Sequence, residues 1–101
     1  MAREKLVRDK IPDLIRNSGG TPLFRVADNQ ELDYFIRLKV QEEANELLES
    51  GDDEEIVDLL EIIDALITYR GFSREKIDEM KKEKAEKRGK FEMGFILTMN
   101  E

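Results

Sequence analysis

Residues 39–64, with the sequence KVQEEANELLESGDDEEIVDLLEIID, form the stretch that decides the fold of this chain. Apolar residues recur at three- and four-residue spacing both before and after Ser50-Gly51-Asp52, which is the pattern of amphipathic helices. Glycine followed by aspartate is typical of a turn, so the stretch predicts two helices joined by a short connection. Because the connection is short, we expect the two helices to pack antiparallel against each other.

Some carboxylates in this stretch fall on the apolar faces of the two predicted helices. Glu43, Glu55 and Asp58 project into the apolar stripes, and Glu46 lies at the border of its stripe; Glu42 replaces Glu46 if the helix is rotated. Buried carboxylates without partners are costly, so several that converge from two helices need a cation. Oxygen ligands favour a hard ion, and we expect Mg²⁺, or Mn²⁺, before Zn²⁺ at Glu43, Glu46, Glu55 and Asp58. One such pair alone is common on solvated helices, but two facing pairs favour a metal site.

The composition limits the kind of protein. With 101 residues the chain has the length of one domain, and we predict a single helical domain over residues 1–101. The 24 acidic and 17 basic residues give a net charge of −7, which disfavours nucleic-acid polymers and membrane surfaces as partners. The absence of cysteine and histidine excludes disulfides, thiolate nucleophiles, histidine triads and histidine-bound zinc. No signal peptide or membrane-spanning run is visible, so the expected location is the cytoplasm.

The other elements predict a mainly α protein, an antiparallel helical bundle. The predicted helices cover residues 13–16 after Pro12, residues 28 to about 50, residues 52 or 53 to 70, and about 74–88. Residues 23–26 (LFRV) and 91–99 (FEMGFILTM) have the composition of strands, and a small two-stranded sheet between them is possible.

The second long helix is apolar around most of its circumference. A helix of this kind is buried on more than one side, and a chain of 101 residues has little else to cover it. We therefore expect a homodimer or homotetramer, with Ile63, Leu66 or Ile67 near the interface.

Several motifs together resemble one enzyme superfamily. The pattern EExxE at residues 42–46, followed by ExxD at residues 55–58, is similar to the signature of the all-α NTP pyrophosphohydrolases, the MazG-like superfamily. Four segments of the chain resemble, in order and spacing, the small single-domain house-cleaning branch of this superfamily. They are LVRDKIPDLI, EEANELLE, EEIVDLLEIIDAL and KRGKFEMGFIL, and the similarity covers nearly the whole chain. One departure is the gap of eight residues between Glu46 and Glu55, which is shorter than in many members.

The resemblance implies a helical fold that assembles as a dimer or tetramer, with Mg²⁺ on the carboxylates. It also implies hydrolysis of a nucleoside triphosphate to the monophosphate and pyrophosphate, in which Glu46 is the candidate for orienting or deprotonating the attacking water. Because the carboxylates and the triphosphate are both anionic, basic residues should help to hold the phosphates. The candidates are Arg8 and Lys10 in the N-terminal arm and Lys84, Lys87 and Arg88 near the end of the last helix. The structural alternative is a solvated arm and a helix end whose cations complement the helix dipole.

The sequence leaves the nucleobase and two other functions open. The aromatic candidates for stacking on a base are Tyr34, Phe35 and Phe91, each of which also suits a core. A phosphoribosyl-ATP pyrophosphohydrolase would use the same carboxylates on another substrate, although RDKIP at residues 8–12 argues against it. A non-enzymatic helical oligomerisation module would use its carboxylates only for solubility, and it would bind no Mg²⁺ or Mn²⁺ in the millimolar range.

Overall fold

The computed structural model describes residues 3–100, and within them the chain is helical. The helices are α1 (Ile11–Asn17), α2 (Asn29–Ser50), α3 (Asp53–Tyr69) and α4 (Arg74–Arg88). The predicted fold class, a mainly α protein with the packing of a helical bundle, is confirmed. None of the helices among these residues is both long and apolar enough to cross a lipid bilayer.

Short-range contacts fix both ends of α2. At its start, the Asp28 side chain accepts hydrogen bonds from the backbone N–H groups of Gln30 and Glu31 at 3.0 and 2.9 Å. The Asp28 backbone N–H donates in return to the Glu31 carboxylate at 3.2 Å, which completes a capping box. At its end, Gly51 has a φ of 68°, and its N–H donates to the Leu47 carbonyl at 2.9 Å. This left-handed conformation favours glycine and turns the chain back into α3.

The two long helices, α2 and α3, pack against each other as an antiparallel pair. The end of α3 lies beside the start of α2, where the Arg70 guanidinium donates to the two Asp33 carboxylate oxygens at 2.8 and 3.1 Å. The Tyr69 hydroxyl donates to the Asn29 carbonyl in the same region. The last turns of α2 therefore lie opposite the first turns of α3, which is where the predicted carboxylate ligands are.

Ion pairs attach the segment before α1 to α2. The Arg25 guanidinium lies 2.9 Å from a Glu4 oxygen and 2.6 Å from a Glu31 oxygen. Hydrogen bonds from Arg25 to Glu31, helped by the contacts with Asp28, lower the pKa of Glu31 to about 2. The Lys5 ammonium lies 3.4 Å from a Glu42 oxygen. These contacts hold the N-terminal arm near the face of α2 that carries the carboxylates.

The possible two-stranded sheet is not formed within residues 3–100. Neither residues 23–26 nor residues 91–99 contain a strand, and Leu23 and Phe91 have fully exposed side chains. Their apolar composition indicates β-propensity, but a strand is stable only when a neighbouring strand accepts and donates its backbone hydrogen bonds. Neither segment has such a neighbour among the described residues, so both are irregular.

The structure divides into two compact units, one ending at Arg70 and one beginning at Gly71. The first contains α1, α2 and α3, and the second contains α4 and the residues after it. The prediction that residues 1–101 form one domain stays a prediction.

The first unit exposes much of the apolar surface of α3. Among residues 3–100, Ile36 is the buried hydrophobic residue, with 3% of its surface exposed, so one chain has a very small core. Ile56, Val57 and Leu60 are 46%, 62% and 61% exposed, while the predicted interface residues are half-buried, namely Ile63, Leu66 and Ile67. The homo-oligomer stays a prediction, and we expect its interface to include the exposed residues nearer the start of α3.

We expect Leu60→Glu to weaken self-association, because a new carboxylate would be buried in the interface without a partner. Wild-type protein should scatter light as a dimer or larger species at micromolar concentration, and the variant should have a lower mass. Thr68→Glu adds the same charge at an exposed polar position of α3 and serves as the control. A monomeric mass for the wild-type chain would contradict the prediction.

Candidate metal centre

Three carboxylates predicted as metal ligands lie together between α2 and α3. One oxygen from each of Glu43, Glu55 and Asp58 lies within 4.8 Å of the corresponding oxygens of the other two. Glu43 is on α2, while Glu55 and Asp58 are three residues apart on α3 and so point to the same side of that helix. The antiparallel packing places this pair opposite Glu43. These three residues are called the carboxylate cluster below.

The carboxylate cluster has buried oxygens that lack protein partners. Glu43 is only 6% exposed. Within the part of the chain that the structure describes, Glu43 Oε2 and Glu55 Oε2 are buried and accept no hydrogen bond. An unpaired buried carboxylate oxygen is strongly disfavoured, so a cation between the helices would stabilise this arrangement.

The donor set fits a hard divalent ion. Mg²⁺ takes oxygen ligands at about 2.1 Å, so ligand oxygens on opposite sides of the ion lie about 4.2 Å apart. The three cluster oxygens lie within 4.8 Å of one another, which is close enough for one ion to contact all of them after a small movement of the side chains. Mn²⁺ is accepted by the same oxygen ligands.

Glu55 has the most perturbed acidity in the cluster. Burial raises its pKa to about 7, with further contributions from a hydrogen bond to Glu46 and from the negative charges of Glu46, Glu43 and Asp58. Without a cation, Glu55 is therefore partly protonated at neutral pH. A divalent cation would have to displace that proton, so its affinity should increase as the pH rises through 7.

This shift predicts how the pH affects the stability of the metal-free protein. The folded state binds the Glu55 proton more tightly than the unfolded state, whose pKa is near 4.5. The free energy of unfolding should therefore fall as the pH rises from about 4.5 to 7, and then level off. In Glu55→Gln this contribution is absent, so the variant should gain stability relative to wild type across the same window.

Urea unfolding with EDTA at pH 5, 6, 7 and 8 would measure this difference. Glu61→Gln removes an exposed carboxylate from the same helix and should follow the wild-type pH dependence. A constant difference between wild type and Glu55→Gln from pH 5 to 8 would show that Glu55 does not titrate as described.

Glu46 lies beside the carboxylate cluster. The protonated Glu55 carboxyl can donate a hydrogen bond to the Glu46 carboxylate, but Glu46 is exposed and does not belong to the three clustered oxygens. Glu42, the alternative ligand, is held by the Lys39 ammonium at 3.1 Å and the Lys5 ammonium at 3.4 Å. Burial raises the pKa of Glu42, but these two lysines outweigh it and hold the pKa below its usual value. The contact with Glu55 favours Glu46 over Glu42 as the fourth member of the site.

The basic side chains of Arg8 and Lys39 contact the carboxylate cluster. The Arg8 Nη2 atom lies 2.8 Å from Asp58 Oδ1, and the Lys39 Nζ atom lies 3.2 Å from Glu43 Oε1. Burial lowers the pKa of Lys39, but its hydrogen bonds to Glu42 and Glu43 outweigh this effect and raise the pKa. Sequence reasoning placed Arg8 on the substrate phosphates, whereas the structure places it on a predicted metal ligand.

Lys39 has a place in the site that sequence reasoning missed. The sequence feature that could have indicated this place is the spacing of Lys39, which precedes Glu42 by three residues and Glu43 by four on the same helix. That spacing is common on solvated helices, and only the burial of Glu43 makes the pair part of the site.

The other predicted phosphate-binding residues are exposed. Lys10 directly precedes α1, and Lys84, Lys87 and Arg88 lie in the last two turns of α4, in the second unit. Their contact with a phosphate stays a prediction.

A cavity of about 510 Å³ in the first unit is lined by the N-terminal arm and α2, and the residues of the carboxylate cluster are not part of its wall. It shares Lys39, Glu42 and Glu46 with the surroundings of the cluster, and Phe35 supplies an aromatic ring to its wall. Its volume is in the range of small-molecule sites. Of the other aromatic candidates, Tyr34 is exposed with its ring 6.2 Å from that of Phe35, and Phe91 lines a separate cavity in the second unit.

Comparisons with known proteins give one partial similarity. No protein-family profile matches the chain, and no solved structure matches it. Over 43 residues the chain is 46% identical to an uncharacterized protein of Mycolicibacterium smegmatis. The aligned stretch is 43% of this chain and 44% of that protein, so the chain spans less than half the length of this relative.

Proposed function

We propose that this chain is a divalent-cation-dependent nucleoside triphosphate pyrophosphohydrolase of the MazG-like kind, which releases a nucleoside monophosphate and pyrophosphate. The observation that carries the proposal is the carboxylate cluster, in which two facing helices bring together oxygens from Glu43, Glu55 and Asp58. Its unpartnered buried oxygens suit a cation, and the cavity lined by α2 and the N-terminal arm has room for a ligand.

The carboxylate cluster would hold Mg²⁺ or, alternatively, Mn²⁺. When bound, such an ion neutralises charge on the phosphates and makes a water molecule more acidic. Glu43, Glu55 and Asp58 supply the ligand oxygens, with Glu46 as a possible fourth. The partial protonation of Glu55 near neutral pH makes the strength of this site dependent on pH.

Glu46 is the best-placed group to handle the proton of the attacking water. It is exposed, it lines the cavity, and it lies close to the carboxyl group of Glu55. A carboxylate in this position can accept a proton from water and orient the water for attack on the α-phosphorus. Attack there separates the nucleoside monophosphate from pyrophosphate.

Basic side chains complete the charge balance of the bound triphosphate. Arg8 is the closest of these to the cluster, through its contact with Asp58. Arginine binds two phosphate oxygens at once through its planar guanidinium, which a lysine cannot do. The remaining candidates are Lys10, Lys84, Lys87 and Arg88.

The substrate is proposed to be a non-standard nucleotide that the enzyme removes from the cellular pool. The cavity lined by α2 and the N-terminal arm would hold the nucleoside, with Phe35 available to stack on the base. Free nucleotides are cytoplasmic, so the proposal includes a cytoplasmic location. It also includes a homodimer or homotetramer, because self-association would bury the exposed apolar residues of α3.

A panel of nucleoside triphosphates with detection of released pyrophosphate, at several Mg²⁺ concentrations, tests the proposal. Hydrolysis that disappears with EDTA and depends on the base would support it. If phosphoribosyl-ATP is hydrolysed in preference to all triphosphates in the panel, the phosphoribosyl-ATP alternative is correct. If calorimetry detects no Mg²⁺ or Mn²⁺ binding in the millimolar range, the result supports the helical oligomerisation module and argues against both enzymes.

A further inference from the structure

The ion pair between Arg8 and Asp58 differs in its exposure from the ion pair between Lys39 and Glu43. The side chains of Arg8 and Asp58 are 55% and 39% exposed, whereas the side chains of Lys39 and Glu43 are only 19% and 8% exposed. Arg8 also precedes α1 and lies outside the helices, while Lys39 is fixed on α2 between Glu42 and Glu43. The Lys39 ammonium group is therefore held firmly, whereas the Arg8 guanidinium lies at the solvent-facing side of the site.

Arg8 and a divalent ion would compete for the same carboxylate. Asp58 contributes an oxygen to the clustered set, and Arg8 already contacts its Oδ1 at 2.8 Å. An exposed ion pair of this kind contributes little to stability, because water screens it and both side chains lose freedom. A doubly charged ion on Asp58 would also repel the guanidinium at this distance.

We propose that Arg8 is a counter-charge for Asp58 in the metal-free protein and is released by divalent-cation binding to grip the substrate polyphosphate. The inference rests on the proposed function and adds an order of binding to it, with the metal first and the phosphates second. Lys39 stays on Glu42 and Glu43 throughout, since both of its partners are on its own helix. The released guanidinium has the planar fork that phosphate oxygens prefer.

Because the metal ion releases Arg8 from Asp58, binding of the metal should increase the affinity for polyphosphate. Without metal, Arg8 is engaged by Asp58 and the anionic cluster repels phosphates, so both wild type and Arg8→Gln should bind pyrophosphate weakly. With metal, wild type gains both the ion and a free guanidinium, whereas the variant gains only the ion. Coupling between two ligands is reciprocal, so pyrophosphate should also tighten metal binding in wild type more than in the variant.

The test is calorimetry of wild type, Arg8→Gln, Arg8→Lys and Arg16→Gln, first with Mg²⁺ alone. Arg16 is the matched control, because it also forms an exposed ion pair. Its Nη1 atom lies 2.7 Å from Asp13 Oδ1, and neither residue belongs to the carboxylate cluster. Removing the competitor in Arg8→Gln should tighten Mg²⁺ binding by about 1.5–5-fold, the range expected for an exposed ion pair. Arg16→Gln should bind Mg²⁺ like wild type.

The second titration adds pyrophosphate, with the same saturating Mg²⁺ in the cell and the syringe. Arg8→Gln should bind it at least about tenfold more weakly than wild type, as expected for a lost charged hydrogen bond. Arg8→Lys should lie between the two, because it keeps the charge and loses the fork. Circular dichroism of each variant checks that the helices are retained.

Each outcome decides the inference separately from the proposed function. If Arg8→Gln binds pyrophosphate like wild type, or binds Mg²⁺ more weakly, Arg8 is a structural ion pair and the inference falls, whatever the hydrolysis assay shows. If wild type binds no Mg²⁺, the inference also falls. If the two titrations give the expected shifts but no nucleoside triphosphate is hydrolysed, the inference stands and the proposed reaction is wrong.

Discussion

Glu43→Gln should abolish metal-dependent hydrolysis while it leaves the helices intact. The substitution keeps the shape of a side chain that is only 6% exposed, but it removes the negative charge that faces Glu55 and Asp58. Losing even an outer contact of a metal site commonly lowers affinity or activity about 10–100-fold, so loss of a direct ligand should lower the rate by at least about 100-fold. We expect the same result for Asp58→Asn, although that change also breaks the contact with Arg8.

Steady-state hydrolysis over a range of Mg²⁺ concentrations, with calorimetry of Mn²⁺ binding, measures this effect. Glu61→Gln is the control, because it removes the same charge from an exposed position of α3 and should be nearly silent. Turnover close to wild type in Glu43→Gln would show that Glu43 is not a metal ligand. A loss of far-ultraviolet circular dichroism would instead assign the residue a structural role.

Glu46→Gln is expected to lower kcat by about 10²–10⁴-fold, the usual contribution of a general base. Metal affinity should not fall, because Glu46 is exposed and lies outside the three clustered oxygens. The pKa of Glu55 should also fall, since the variant removes the charge of Glu46 that helps to raise it. The expected kinetic signature is therefore a reduced kcat at saturating Mg²⁺ without an increased requirement for the metal.

Glu49→Gln gives a matched control for this prediction. Glu49 is three residues further along α2, is exposed, and lines the same cavity as Glu46. A normal kcat for Glu46→Gln at saturating Mg²⁺, together with a weaker metal affinity, would make Glu46 a ligand and exclude it as the base. Glu42→Gln tests the alternative residue, and it should leave kcat largely unchanged, because Lys39 and Lys5 hold that carboxylate.

The helices and the carboxylate cluster could be predicted from local sequence. The capping box at Asp28 and the left-handed Gly51 fix the ends of α2 through contacts within a few residues, so the pattern alone located them. The periodicity of each helix then placed Glu43, Glu55 and Asp58 on the apolar side. A short turn leaves little choice in how two such helices pack, so their convergence followed as well.

Other features depended on contacts between residues far apart in the chain, and only the tertiary structure decided them. Arg8 lies 50 positions before Asp58, and no local pattern indicates that the two meet. The segments at residues 23–26 and 91–99 have the composition of strands, but a strand depends on a partner elsewhere in the chain, and within residues 3–100 neither has one. Helical periodicity is set by neighbours three and four residues apart, whereas burial, counter-charges and strand pairing are set by whichever distant residues the fold brings close.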